Sequence, residues 1–278
     1  MTDVITGTEA DRQLKAKHRA MWALGDYPRL AADVIADLGP VLVEAAGVGP
    51  GTKVLDVAAG SGNAAIPAAR TGAQVVASDL TPELLDKGRE LAGRAGVELE
   101  WRQADAEALP FADGEFDTVL SCVGVMFAPH HQVSADELVR VTRSGGSIAL
   151  LSWTPEGFIG QMFAAMKPYA APPPPGAQPP PLWGSESHVR ELLGDRVTDV
   201  VARKQALRVG QFATAEEFRD YFKARYGPTI AVYRFLGDDT ERIAALDAEL
   251  AALGRRYASG QGSTVMEWEY LLLTARRV

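Results

Sequence analysis

The 278-residue sequence has little of the chemistry that disulfide and metal sites require, with one cysteine, Cys122, and four histidines. A single cysteine cannot form an intrachain disulfide and suits a reducing compartment. Neither residue type recurs with the spacing of a zinc site, so we predict that the chain holds no metal. Basic residues are outnumbered, with 28 Lys and Arg against 36 Asp and Glu.

Basic stripes and long apolar runs are also missing from the sequence. The pairs Arg255-Arg256 and Arg276-Arg277 are isolated, and nucleic-acid binders usually carry a continuous basic patch. No apolar run approaches the roughly 20 residues that span a bilayer, and the first residues do not resemble a signal peptide. We therefore predict a cytoplasmic protein, a monomer or homodimer, without a nucleic-acid partner or a membrane span.

What the sequence does contain is an alternation of strand and helix signals. Near-continuous apolar strands separated by helices predict an α/β fold whose parallel sheet is covered on both faces. The predicted strands are Lys53–Val57, Gln74–Ser78, Leu99–Arg102, Phe116–Cys122, Ser147–Trp153, Val197–Val209 and Thr264–Ala275. Residues 9–47 are predicted to be helical, with a break at Gly39-Pro40.

The sequence divides into three regions. We predict an N-terminal helical cover over residues 1–48, a cofactor-binding core over 49–153 and an acceptor-binding region over 154–278. The last region contains a proline-rich loop at 172–181, read as a surface loop or lid, and a helical insertion at 212–258.

The most informative segment follows the first predicted strand. Gly60-Ser61-Gly62-Asn63-Ala64-Ala65 fits the loose glycine fingerprint of dinucleotide sites, in which small residues let backbone N–H groups approach a ligand. Asp79 ends the second strand, where a carboxylate can accept both hydroxyls of a ribose. Asp56 lies inside strand one, and Asp105-Ala106 follow strand three, where a carboxylate and an N–H can read an adenine edge.

The charges near this turn favour one kind of nucleotide. Asp56, Asp79 and Asp105 surround it, and Lys53 is the only nearby cation in the sequence. A phosphate would require positive charge, so the pattern favours a cationic nucleoside without phosphates. Two alternatives remain open: an NAD(P)-dependent oxidoreductase that uses the same turn, and a non-catalytic binding module on the same fold.

Several motifs together resemble the class I S-adenosylmethionine-dependent methyltransferases, in the small-molecule branch that includes the ubiquinone/menaquinone-type enzymes. Val54 to Gly62 resembles their first motif and Asp79 their ribose-binding acid. The remaining matches are Asp105-Ala106, Leu109-Pro110-Phe111, Phe116 to Val119 and Leu138 to Gly146. Many members have Gly-Cys where this sequence has Ala58-Ala59. Alanine allows the backbone of the turn fewer conformations than glycine does.

The resemblance implies a Rossmann-like, doubly wound, mostly parallel seven-stranded sheet with an antiparallel last strand, and helical additions. It also implies S-adenosylmethionine as cofactor and S-adenosylhomocysteine as product. In similar proteins an aromatic N-terminal helix covers the methionine end, and Cys122 is read as a packing residue. The predicted cofactor-binding residues are Trp22, Tyr27, Asp56, Ala58, Ala59, Gly60, Gly62, Asn63, Asp79, Leu80, Asp105, Ala106 and Cys122.

The acceptor of the methyl group is predicted to be a small molecule bound by the second half. Of the 21 aromatic residues, 15 follow residue 150, which suits an apolar or aromatic acceptor, although an aromatic stripe at helical spacing can equally form core. His130 and His131, after strand four, are the candidate bases. The predicted acceptor pocket contains Met126, Trp153, Phe158, Tyr221 and Tyr226.

Overall fold

The structure, a computed structural model, describes residues 7–258 and 264–278. Residues 1–6 of the predicted cover and residues 259–263 of the predicted acceptor region lie outside the described residues. Seven strands form one sheet. In chain order they are β1 (Lys53–Val57), β2 (Gln74–Asp79), β3 (Glu100–Gln103), β4 (Phe116–Cys122), β5 (Thr142–Trp153), β6 (Val197–Val209) and β7 (Met266–Arg277).

The sheet has the order β3-β2-β1-β4-β5-β7-β6. The pairs from β3 to β5 are all parallel, whereas β7 is antiparallel to both β5 and β6. This confirms the predicted Rossmann-like sheet with its antiparallel last strand. The chain order reverses between β1 and β4, and in such sheets a ligand crevice forms beyond the carboxyl ends of the strands at this point.

Eleven α-helices are present among the described residues, and they cover the sheet and its carboxyl edge. They are α1 (Glu9–Trp22), α2 (Tyr27–Asp33), α3 (Leu38–Ala45), α4 (Ala65–Arg70), α5 (Pro82–Ala95), α6 (His131–Val141), α7 (Phe158–Met166), α8 (Glu186–Leu193), α9 (Ala215–Arg225), α10 (Gly227–Leu236) and α11 (Thr240–Tyr257). In this part of the chain, no helix has the length and apolarity that a bilayer crossing requires.

Two predicted element boundaries differ from the structure by several residues. Gly39-Pro40 does not break a helix, because α3 begins at Leu38 and places Pro40 in its first turn, where a missing N–H has no intrahelical acceptor to lose. Strand five begins at Thr142, five residues before the predicted Ser147, since Thr142 already pairs with Phe116 of β4.

Aromatic side chains of the helical insertion pack against aromatic residues at the end of the sheet. Phe158 stacks on Trp268 with ring centroids 4.9 Å apart and an interplanar angle of 4°. Phe218 meets Phe158 edge-on at 4.9 Å, and all three side chains are almost completely buried. Much of the aromatic enrichment of the second half is therefore core.

Candidate active site

A cavity opens at the carboxyl ends of β1, β2 and β4 and is bounded on its outer side by α1 and α2. It brings together most of the predicted cofactor-binding residues. Those in its wall are Trp22, Tyr27, Ala58, Ala59, Gly60, Asn63, Asp79, Leu80, Asp105, Ala106 and Cys122. Asp56 and Gly62 lie behind this wall.

The glycine-rich turn that follows β1 has an unusual backbone. Ala58 has a φ of 55°, Gly60 of 56° and Gly62 of 93°, in the left-handed region that favours glycine. A Cβ at Gly62 would lie 2.7 Å from the Trp101 ring, whereas one at Gly60 would meet no atom within 4 Å. The absence of a side chain at Gly62 therefore allows the Trp101 ring to pack behind the turn. At Gly60 it leaves open space above the turn.

Asp79 holds this turn in place. Its Oδ2 accepts the backbone N–H of Gly60 at 2.8 Å, and its Oδ1 accepts that of Thr81 at 2.8 Å. Burial raises the pKa of the Asp79 carboxyl, and these N–H groups oppose the rise. Each oxygen can accept a second hydrogen bond, so Asp79 can bind a ligand hydroxyl while it supports the turn.

Asp56 lies in β1, behind the turn. Both carboxyl oxygens are buried and have no hydrogen-bond partner among the described residues. Burial raises the pKa of Asp56 to about 8. The group is thus mostly neutral at pH 7, and it is Asp79 that accepts the Gly60 N–H.

Cys122 lies in the wall near Asp56 and accepts a hydrogen bond from the Asn63 amide, with 3.6 Å between Nδ2 and Sγ. Burial, followed by the charge of Asp56, raises the pKa of the Cys122 thiol. A thiol that stays protonated is a poor nucleophile. This environment agrees with the expected packing role.

Asp105 is tied to α1 by a lysine that the sequence did not single out. Lys15 Nζ lies 2.5 Å from Asp105 Oδ2, 3.0 Å from Glu107 Oε2 and 3.0 Å from Asp11 Oδ1. Burial by itself lowers the pKa of Lys15, but Asp105 and Glu107 raise it above its ordinary value overall. A signal was present in the sequence, because Asp11 and Lys15 have the i,i+4 spacing of a helical ion pair.

Candidate metal ligands also meet here, although their sequence spacing did not indicate a site. Ligand atoms of Asp11, Glu107 and His130 lie within 4.8 Å of one another. The ammonium of Lys15 is 3.0 Å from both Asp11 and Glu107. A cation of the protein itself therefore already contacts two of these three groups.

His130 belongs to this charged cluster and lies outside the cavity wall. Its Nδ1 is 3.0 Å from Glu107 Oε2, and its backbone N–H donates to Glu107 Oε1 at 2.7 Å. The proline-rich loop is attached beside it, since the N–H of Gln178 donates to the carbonyl of Pro129 at 2.9 Å. Among the described histidines, His18 is the one that lines the cavity.

His131 is fully buried and also lies outside the cavity wall. Its Nδ1 is 3.0 Å from Nε2 of His188, and its ring packs against Trp183. Burial and then the neighbouring His188 lower the pKa of His131 to about 3. It is therefore neutral over the working range of most enzymes and is separated from any ligand in the cavity.

Acidification is expected to destabilise the protein through His131. The pKa of His131 in the folded chain is about 3, against an ordinary 6.5, so between these values the unfolded chain binds more protons. The contribution of His131 to the free energy of unfolding is complete above pH 6.5 and decreases as the pH falls. Unfolding measured at pH 7.5 and pH 5 should show a smaller loss in His131→Leu than in the wild type. An equal loss would contradict this assignment.

Two of the five predicted acceptor residues line the cavity, and the other three do not. Trp153 and Tyr226 line the cavity. Met126 and Phe158 are completely buried in the core, and the Tyr221 hydroxyl donates to Asp33 at 2.9 Å beside a separate surface groove. Residues of the same wall that the sequence analysis missed are Ile159, Phe222 and Trp268.

Trp22 and Tyr27, the aromatic residues predicted to form an N-terminal cover, both line the cavity. Trp22 lies edge-on to Phe127 at 4.7 Å and tilted against Tyr27 at 5.5 Å. The Tyr27 hydroxyl accepts the Gly227 N–H at 3.1 Å, so its own proton remains available to a ligand. The cover is thereby joined to the start of α10.

The residues of the cavity fit S-adenosylmethionine in their chemistry. The open space above Gly60 admits a ligand close to the backbone. The nearby carboxylates, Asp79 and Asp105, suit ribose hydroxyls, an amino group and a positive charge. The one lysine of the wall, Lys15, is already paired with three carboxylates, so it is poorly placed to bind a pyrophosphate.

Comparison with known proteins agrees with this fit. Residues 55–150 match the family model described as a methyltransferase domain. An uncharacterised protein of Mycobacterium tuberculosis is 54% identical over 274 residues, 98% of each chain. A demethylmenaquinone methyltransferase of Renibacterium salmoninarum is 36% identical over 114 residues, which are 41% of this chain and 46% of that protein.

The fold is shared with solved structures as well. The YcgJ protein from Bacillus subtilis superimposes with a TM-score of 0.58 at 16% identity, over 87% of this chain and 98% of that one. The matched family model, the sequence relatives and this fold give one consistent result. Residues 55–150 therefore form a methyltransferase domain, built on the Rossmann-like sheet described above.

Proposed function

We propose that this protein transfers the methyl group of S-adenosylmethionine to a small apolar or aromatic metabolite, on an oxygen, nitrogen or carbon atom. The observation that carries the proposal is the division of the cavity between two kinds of wall. Carboxylates lie beside β2 and the loop after β3, and aromatic side chains lie beside β5, β7 and α9. The first wall suits a cationic nucleoside and the second an uncharged ring.

The cofactor side is assigned from the residues that line it. Asp79 accepts the ribose hydroxyls, and Asp105 with the backbone N–H of Ala106 reads the adenine edge. Trp22 and Tyr27 cover the methionine end. This agrees with the proposed division of the chain into a cover (1–48), a cofactor core (49–153) and an acceptor region (154–278).

The acceptor side is proposed to take an uncharged molecule. Among the described residues, the part of the wall contributed from position 150 onward has no charged side chain; it consists of Trp153, Ile159, Phe222, Tyr226 and Trp268. A charged acceptor placed there would lose its hydration without gaining a counter-ion, which is strongly unfavourable.

Orientation and exclusion of water are proposed to dominate catalysis. Bound S-adenosylmethionine supplies a methyl group that is already activated by its sulfonium, and in-line displacement then depends on placing the acceptor. The two predicted bases lie outside the cavity wall, His130 being paired with Glu107 and His131 with His188. The wall of aromatic rings keeps the acceptor away from bulk water.

Two measurements test the proposed function. Calorimetry should show binding of S-adenosylhomocysteine and no comparable binding of NAD or NADP. Methyl transfer from radiolabelled S-adenosylmethionine should then be found with neutral phenols or quinols in preference to carboxylates and ammonium compounds of similar size. Tight NAD binding alone would identify an oxidoreductase, and cofactor binding without turnover of any metabolite would favour a non-catalytic module.

Tyr226→Phe is expected to lower kcat/KM for the acceptor about three- to tenfold, since a neutral hydrogen bond contributes about 0.5–1.5 kcal/mol. Burial raises the pKa of Tyr226 above its ordinary value, so its hydroxyl is a donor at neutral pH. Affinity for S-adenosylhomocysteine should not change. Tyr221→Phe, on α9, the helix that ends directly before Tyr226, but outside the cavity wall, is the matched control, and an equal effect of both substitutions would refute this role.

A further inference from the structure

Lys15 occupies an unusual position for a lysine of an N-terminal helix. Its side chain is only 10% exposed, and its ammonium contacts the carboxylates of Asp11, Asp105 and Glu107 at 2.5 to 3.0 Å. It also lines the cavity. Buried lysines are rare unless they are paired, and here two of the three partners, Asp105 and Glu107, belong to the loop after β3, which also forms the proposed adenine edge.

The Asp105 carboxylate is held from two sides. Its Oδ1 accepts the backbone N–H of Glu107 at 2.9 Å, and its Oδ2 contacts Lys15 at 2.5 Å. The rotation of the carboxylate is thereby restricted. A carboxylate paired with an ammonium offers hydrogen-bond acceptors and no donor.

Glu107 holds the Lys15 ammonium in place. Its side chain is fully buried, and it accepts from the N–H of His130 while its Oε2 contacts both His130 Nδ1 and Lys15 Nζ. Moving the ammonium away would leave a buried carboxylate with one partner fewer, which is costly. Lys15 is therefore anchored by Glu107 and orients Asp105.

We propose that Lys15 is a positioning residue that holds the Asp105 carboxylate, a hydrogen-bond acceptor, in one orientation and so makes the cofactor site select a 6-aminopurine over a 6-oxopurine. The inference rests on the proposed function, in which Asp105 accepts the adenine amino group. A 6-oxo group would bring an acceptor against this fixed acceptor. Without Lys15, the Asp105 carboxylate can turn away, so it no longer accepts from the amino group and no longer opposes the oxo group.

The test compares two ligands that differ at this one position. S-adenosylhomocysteine carries the 6-amino group, and S-inosylhomocysteine carries a 6-oxo group instead. Calorimetry on the full chain should show that the ratio of their dissociation constants, which favours the amino ligand, falls about tenfold or more in Lys15→Met, as expected when a polar group loses its fixed partner. Lys15→Arg, which keeps the charge, should retain most of the preference.

Lys17→Met is the matched control, because Lys17 lies on the same helix and is exposed; its ratio should equal that of the wild type. If Lys15→Met does not fold, Lys15→Gln keeps a donor without the charge and should lower the ratio less. Equal weakening of both ligands, or an unchanged ratio in the folded variant, would overturn the inference. Failure of the wild type to bind S-adenosylhomocysteine would instead overturn the proposed function.

Discussion

Replacing Phe158 with alanine is expected to lower the free energy of unfolding by about 3–5 kcal/mol, the usual cost of truncating a buried aromatic side chain. Phe158 is completely buried, stacks on Trp268 at 4.9 Å and meets Phe218 and Tyr257 edge-on. No neighbouring ring can fill the space without breaking its own packing. Denaturant unfolding followed by tryptophan fluorescence measures this change.

The control for Phe158→Ala is Phe235→Ala. Phe235 is 53% exposed on α10, and a surface substitution is expected to change stability by no more than about 0.5 kcal/mol. If Phe158→Ala were as stable as the wild type and raised only the KM of the acceptor, Phe158 would be a pocket residue, as the sequence alone suggested.

Replacing Asp79 with alanine is expected to weaken binding of S-adenosylmethionine at least tenfold, which is about 1.4 kcal/mol. The substitution removes the proposed partner of the ribose hydroxyls. It also releases the N–H of Gly60 and that of Thr81, both of which Asp79 accepts at 2.8 Å. Calorimetric titration of the folded variant measures the effect.

Asp86→Ala is the control for Asp79→Ala. Asp86 lies on α5, seven residues further along the chain, and its side chain is 69% exposed in a surface pair with Arg89. Its removal should leave cofactor affinity and stability close to those of the wild type. Unchanged affinity in Asp79→Ala would refute the ribose assignment.

The residues of the proposed cofactor side were largely brought together as the sequence predicts, because this side of the cavity is built from strand ends. The turn after β1, Asp79 and Asp105 each follow a strand of a parallel sheet, and the carboxyl ends of such strands meet at one edge. Their positions along the chain therefore determine which wall they line. The role of Asp56 was harder to predict, because strand periodicity does not show which carboxylate accepts the N–H groups of the turn.

The acceptor side was far less predictable. Tyr221 and Tyr226 follow the same helical stripe, yet Tyr221 faces Asp33 at the surface and Tyr226 lines the cavity. Similarly, Trp153 lines the cavity while Phe158 lies in the core. Aromatic residues suit a core and an apolar pocket equally, so their spacing cannot distinguish the two.

The sequence by itself determined the fold class and the position of the turn proposed to hold the cofactor, because these depend on hydrophobic periodicity and small residues within short segments. Only the tertiary structure decided which distant side chains meet. It paired His131 with His188 and placed Lys15 against Asp105, 90 residues further along the chain. Such contacts arise from the packing of α1 and α8 on the rest of the molecule. The sequence of a short segment does not indicate how that segment packs against distant ones.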